Sequence, residues 1–142
     1  MLDAEVHNKV IFSGVRNDDN NVNPGEDITY TDTVINLKNG LKPETGEFVV
    51  PISGIYSFSF AARGNYNNPY TAIEVYKNGD IEFIISDGNG NQDGIYANIS
   101  YNWMMSLQIG DTIKLEMASV SNGLAIYTRN FAWFNGQLLL AQ

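Results

Sequence analysis

Residues 39–62 read NGLKPETGEFVVPISGIYSFSFAA, and this stretch decides the fold. It opens on an Asn-Gly turn signal, carries a second turn signal at Thr45-Gly46, and ends in strict alternation. From Ile55 onward, Tyr56, Phe58 and Phe60 project to one side while Ser57 and Ser59 project to the other. A repeat of two residues is the side-chain period of a β-strand. Three rings on one face require a second layer to cover them, since each buried ring contributes roughly 1.5–3 kcal/mol relative to exposure. The pattern therefore predicts a layered β-scaffold, and no enzyme motif accompanies it.

The rest of the chain carries the same punctuation. Asn-Gly occurs five times, at Asn39, Asn78, Asn89, Asn122 and Asn135, and this pair supplies positive φ for tight turns. Between the turns lie segments rich in Val, Ile, Tyr, Phe and Thr. They predict strands at 10–16, 33–37, 47–50, 55–63, 71–77, 81–86, 95–107, 112–118, 124–128 and 131–140. Within 95–107, the apolar run Tyr101–Leu107 with its two methionines is the most ambiguous, and no segment sustains a 3.6-residue period. Many short strands with regular turns indicate a sandwich or barrel. Residues 17–25 and 87–94 are polar and read as surface loops.

Composition sets limits on function. The chain has 142 residues and suits a single domain with a core of its own. It has no cysteine, so disulfides, thiolate nucleophiles and cysteine-held metals are excluded. Eight basic against sixteen acidic side chains give a net charge of −8. Scattered single Lys and Arg residues make nucleic acid a poor partner, because phosphate recognition needs clustered cations. An anionic membrane is disfavoured on the same ground, and no apolar run reaches the roughly 20 residues that span a bilayer, so membrane insertion is not expected. Divalent cations and neutral glycans suit an acidic surface better. A collagen-like stalk would need glycine at every third position, and the chain shows no such run.

Two loops carry candidate chemistry. Asp87, Asn89, Asn91 and Asp93 place a side-chain oxygen at every second position of a glycine-spaced segment, a pattern able to converge on a Ca2+ ion. The opening is that of an EF-hand loop, but Gln92 stands at the sixth position and Asn98 at the twelfth, and flanking helices are missing. A solvated hairpin loop explains the same residues. Tyr66, Asn67, Asn68 and Tyr70 form the second candidate: tyrosines beside amides stack on sugar rings and bond hydroxyls, or simply pack the loop. Tyr30, in another loop, reads the same way. The adjacent carboxylates Asp18 and Asp19 read as loop solvation or as a cation contact. His7 is the only histidine and lies in the N-terminal tail, 1–9, too isolated for a catalytic triad. No carboxylate spacing nominates a glycosidase pair: Glu74, Asp80, Glu82 and Glu116 read as solvent-facing members of strands. Asn98-Ile99-Ser100 is a formal glycosylation acceptor placed in a predicted strand. Catalysis is not expected.

The order of residues also resembles a known family. Thr45-Gly46, Phe48, Pro51, Gly54, Tyr56, Phe58 and Phe60 match the signature of the globular head of complement component 1q, which is related in fold to the tumour necrosis factors. Ile11–Arg16, Val34 with Asn36, Lys77-Asn78-Gly79, Leu107 with Gly110-Asp111, and Phe134–Leu140 resemble further segments in the same order. The resemblance implies a complement-1q-like head over 10–142, built as an all-β, two-sheet jelly-roll sandwich of about ten strands. It also implies a compact homotrimer and non-catalytic recognition outside the cell, at a secreted, cell-surface or spore-surface location. Partners would be glycans, microbial surface patterns or a protein ligand, with Ca2+ held near the trimer's top. A cytokine-like receptor ligand and a structural surface head are the alternatives. Trp103, Met104, Met105, Trp133 and Phe134 are surplus large apolar residues, candidates for a surface that rotational assembly would bury.

Overall fold

The computed structural model describes residues 8–17, 22–66, 71–87, 96–118 and 126–142, with 64–66, 87, 96–98 and 126–131 placed through their backbone. The described strands are β1 (Ile11–Arg16), β2 (Asp32–Asn36), β3 (Leu41–Lys42), β4 (Glu47–Val49), β5 (Gly54–Tyr66), β6 (Thr71–Lys77), β7 (Asp80–Asp87), β8 (Tyr96–Leu107), β9 (Thr112–Met117) and β10 (Ile126–Ala141). They form two five-stranded sheets. Sheet A has the order β2-β1-β10-β5-β8 and sheet B the order β3-β4-β9-β6-β7, and every pairing between these strands is antiparallel. The expected jelly-roll sandwich is the architecture found.

The deciding stretch behaves as its alternation requires. Tyr56, Phe58 and Phe60 are buried between the sheets. Phe12 of β1 and Phe48 of β4 meet across the layers at 4.7 Å between ring centroids, and Phe12 meets Phe134 of β10 edge-on at 4.9 Å. Phe58 stacks on Trp103 of β8 at 5.5 Å. Such tilted and offset contacts add to the area term of each ring. The Tyr56 hydroxyl donates to the Ile52 carbonyl at 2.6 Å. Burial outweighs that bond and pushes the phenol up to about 12.

Two expectations are corrected. The predicted strands 124–128 and 131–140 are not two strands: residues 126–141 form the single strand β10. Asn135-Gly136 is therefore no turn but the middle of a central strand. Glycine is required there by packing, because a Cβ on Gly136 would run into the Phe12 and Phe58 rings. The two-residue strand β3 was not predicted. It pairs with β4 across the Thr45-Gly46 turn, and Asn36 clamps it by donating Nδ2–H to the Leu41 carbonyl at 2.9 Å. Where Asn-Gly does turn the chain, Asn78 and Gly79 both take positive φ and join β6 to β7 in a two-residue hairpin. The ambiguous Tyr101–Leu107 run is strand throughout.

For Tyr30 the packing reading holds. The residue is only 4% exposed and packs against Phe134 at 5.9 Å, so it belongs to the core and not to a sugar-contacting loop. It closes a strap, 22–30, that continues along β9 through hydrogen bonds from Gly25 to Met117 and from Ile28 to Leu115. Val22 and Ile28 of the strap are also buried.

Candidate interaction surface

Because rings fill the inner face of sheet A, its alternate residues form the outer face, and the strand registers arrange them in rows. One row reads Val15, Trp133, Ala61, Ser100. The next reads Ser13, Asn135, Ser59, Asn102, and the third Ile11, Gln137, Ser57, Met104. None of these twelve positions is charged. Ile35 of β2 extends the middle row beside Ser13. Met104 is 69% exposed and Trp133 is 44% exposed. A hollow of about 340 Å³ opens in the middle of the face, lined by Ser13, Ser57, Ser59, Asn135 and Gln137 with Ile11 and Ile35 at its margin. Asn135 donates Nδ2–H to the Ser59 hydroxyl at 3.4 Å, while its buried Oδ1 has no donor among the described residues.

Sheet B presents the opposite character. Its outer face pairs Glu74 with Glu116 and Tyr76 with Lys114. Lys114 bonds Asp27 of the strap at 2.9 Å, approaches Glu116 at 3.8 Å and sits 5.3 Å above the Tyr76 ring. The hydrogen bond to Asp27 raises the Lys114 pKa, whereas burial, working against Lys114, raises that of Glu116. These carboxylates are held by a lysine and a phenol. Among the described residues no group of three or more acidic or histidine side chains could hold a metal ion.

The two sides of the sandwich also differ. On one side the edges are β2 and the two-residue β3, with a register shift between Ser13 and Gly14. Short and irregular edges resist pairing with other chains. On the other side β7 and β8, eight and twelve residues long, are edge strands without a further strand paired to them among the described residues. Between them lies a second hollow, about 500 Å³, lined by Phe83, Tyr101, Trp103, Met104 and Met105 with Lys77, Glu82 and Ser106. Of the five surplus apolar residues, Met104 and Trp133 are exposed, and Trp103 and Met105 pack partly against the core. Phe134 is wholly buried, which removes it from the set of surface candidates.

The loop candidates fall at one end of the molecule. Tyr66 closes β5 and pairs with Tyr96, the first residue of β8. Asp87 closes β7 and pairs with Thr71, the first residue of β6. The strand ends that flank 67–70 and 88–95 thus stand side by side. Arg16 pairs with Ala132 and Ile126 with Gly64, so the ends flanking 18–21 and 119–125 share that end. Asn67, Asn68, Tyr70, Asn89, Asn91 and Asp93 lie outside the described residues, as do Asp18, Asp19 and His7, and Tyr66 and Asp87 are placed by backbone alone. The opposite end is braced: Asp111 accepts from Gln108 N–H at 2.8 Å and from Asn78 Nδ2 at 3.0 Å, and these bonds lower its pKa.

With this geometry in view, a family model for the C1q domain matches residues 10–139. This chain belongs to the C1q domain family. Its fold is shared with the globular domain of zebrafish complement 1qA protein, at 20% identity and a TM-score of 0.76, covering 94% of this chain and 99% of that one. Murine APRIL follows at 14% identity and a TM-score of 0.71, covering 92% and 99%. Eiger TNF from S. frugiperda matches at 10% identity and a TM-score of 0.70, covering 94% of each chain. The polar row of this C1q domain was not singled out by sequence reasoning. Ser57 and Ser59 were legible as the second face of β5, but Asn135 and Gln137 join them only through the pairing of β5 with β10.

Proposed function

We propose that this C1q domain is a non-catalytic, extracellular recognition module that works as a homotrimer. The observation that carries the reading is the outer face of sheet A. A subunit of net charge −8 places no charge at twelve adjacent positions there, while Trp133 and Met104 stand exposed. Depletion of charge with enrichment in aromatic and Met side chains marks the core of protein interfaces. The β7–β8 edge with its apolar hollow is a second, dissimilar patch. Two dissimilar patches suit head-to-tail contact, which forms a ring when the rotation between copies closes, at one third of a turn for a trimer. Once the sheet face is covered, recognition falls to the end of the sandwich where the candidate loops leave their strands. Tyr66, Asn67, Asn68 and Tyr70 would meet a glycan or protein ligand there, and Asp87, Asn89, Asn91 and Asp93 would hold Ca2+. Among the described residues no helix is long and apolar enough to cross a membrane.

Light scattering tests the assembly directly: a mass of three chains is expected, and a persistent monomer would overturn the proposal. A glycan array tests the ligand class, with saturable binding expected and lost in Tyr66→Ala or Tyr70→Ala. Silence on the array, with binding to a cell-surface protein that survives glycan competition, would move the reading to a receptor ligand. For calcium, chelation should lower the melting temperature of the wild type but not of Asp87→Ala or Asp93→Ala. An unchanged wild-type melting temperature removes the site.

A further inference from the structure

We infer that the uncharged polar row Ser13, Asn135, Ser59 and Asn102, with Gln137 beside it, is the element that sets the arrangement of subunits in the assembly. This rests on the trimer reading above and adds to it a role for particular side chains. Four strands contribute one polar residue each at matched register, so the row runs across the sheet between Trp133 on one side and Met104 on the other. It forms much of the wall of the hollow of about 340 Å³. Its hydrogen bonding within one chain is loose: the Asn135 Nδ2 contact to Ser59 is long, at 3.4 Å, and because the Asn135 Oδ1 is itself buried, it is the surface hydroxyl and amide groups of the row that a covering copy would meet. A half-satisfied polar row is costly once water is excluded, unless the covering surface supplies partners.

The occupant is a second copy of this chain. Copies that each carry −8 repel wherever charged faces meet, and the uncharged centre of this face lets them approach there without opposing like charges. An apolar face alone would tolerate sliding and rotation between copies. Polar groups that must find their counterparts across the seam penalise every arrangement but one, as a buried Asn does in a coiled coil.

Two variants test this by light scattering and native mass spectrometry, beside the wild type. Gln137 is exposed in the single chain, so Gln137→Glu leaves the subunit fold intact. At about pH 7.5 the dissociation constant should rise about a hundredfold or more. It should recover toward the wild-type value near pH 5, because a carboxylate stripped of water in the seam takes up a proton above its ordinary pKa. The double variant Asn135→Leu with Gln137→Leu should still associate, yet yield several coexisting species in place of one. A charged variant that assembles like the wild type at both pH values places the row outside the seam and overturns the inference. So does a double variant that forms only the wild-type trimer. A wild-type monomer would instead remove the trimer reading itself, and this inference with it.

Discussion

The outer faces of the two sheets are built from the same alternation and have opposite characters. On sheet B each outward position near the strap is answered inside the chain: Lys114 holds Asp27 and nears Glu116, and Tyr76 donates to Glu74 at 3.3 Å. On sheet A the twelve central outward positions carry serine, amide and apolar groups, with the charged Asp32, beside Val15, and Arg63 at the margins. A face whose charges are paired at home is finished in the single chain and wet on its surface. In the proposed trimer, the uncharged centre of sheet A, with Trp133 and Met104 exposed, is the surface that a neighbour covers. Both faces cover the same aromatic interior, so the difference is one of destination and not of stability.

The largest effect should come from breaking the finished-elsewhere face. Trp133→Glu puts a carboxylate in the row beside Val15 and Ala61, where assembly would strip it of water. The trimer should be lost at micromolar concentration, seen as a threefold fall in mass by light scattering. The melting temperature of the resulting monomer should remain cooperative, because Trp133 points away from the core. A charge at Glu47, on the outer face of sheet B, is already tolerated, and Glu47→Lys should leave the mass unchanged. Equal disruption by both changes would erase the distinction between the faces.

The second effect lies beneath the face. Gly136→Val must displace the Phe12 and Phe58 rings, since even a Cβ collides with them. Overpacking of this kind costs about 1–3 kcal/mol, read as a lower denaturant midpoint at unchanged slope. Because the strain enters through the core, it should lower stability in the monomeric Trp133→Glu background as well. A loss confined to the trimer would mean that Gly136 serves the seam and not the sandwich.

These contrasts show what the sequence could and could not disclose. The fold was legible because Tyr56, Phe58 and Phe60 repeat at the strand period and nothing competes with them. Phe134 was misjudged as surface surplus because its neighbours Trp133 and Asn135 hide the alternation in a run of large residues. Only the pairing of Phe134 with Phe60 puts it inside. For Tyr30 the sequence left packing and sugar contact side by side, because it lies in a segment with no period and its burial depends on the strap running along β9. Asn135-Gly136 imitates a turn, and its real cause, two rings under a missing side chain, comes from residues far away in sequence. The polar row is non-local by construction, since each member sits on a different strand. The loop candidates are local patterns, and the topology gathers the strand ends that flank them at one end of the sandwich.

Sheet B should respond least to single changes. Lys114→Met removes the contact to Asp27 and the approach to Glu116 while keeping the stem over Tyr76. Partly exposed pairs of this kind contribute up to about 1 kcal/mol, so a small fall in the denaturant midpoint is expected, diminished further by salt. The trimer mass should not change. A fall beyond about 2 kcal/mol would show that the strap depends on this lysine more than its exposure suggests, and that sheet B is less self-contained than its pairing implies.

The smallest effect concerns the braced end. Hydrogen bonds from Gln108 N–H and Asn78 hold Asp111 below its ordinary carboxylate pKa. A depressed folded pKa means the unfolded chain takes up the proton first. The stabilisation is therefore fully present above the ordinary value near 4 and is lost as pH falls through the lower folded value. Asp111 is solvent-accessible, so screening leaves only a fraction of a kcal/mol. Asp111→Asn should lower the melting temperature slightly near neutrality, where the stabilisation is present, and meet the wild type at low pH, so that part of the acid limb is flattened. Because the brace ties Asn78 to Thr112 through Thr112 N–H donating to Asn78 Oδ1 at 2.9 Å, Asn78→Ala should flatten the same limb. If the two variants alter different pH ranges, the lowered pKa has a cause other than this hydrogen-bonded turn.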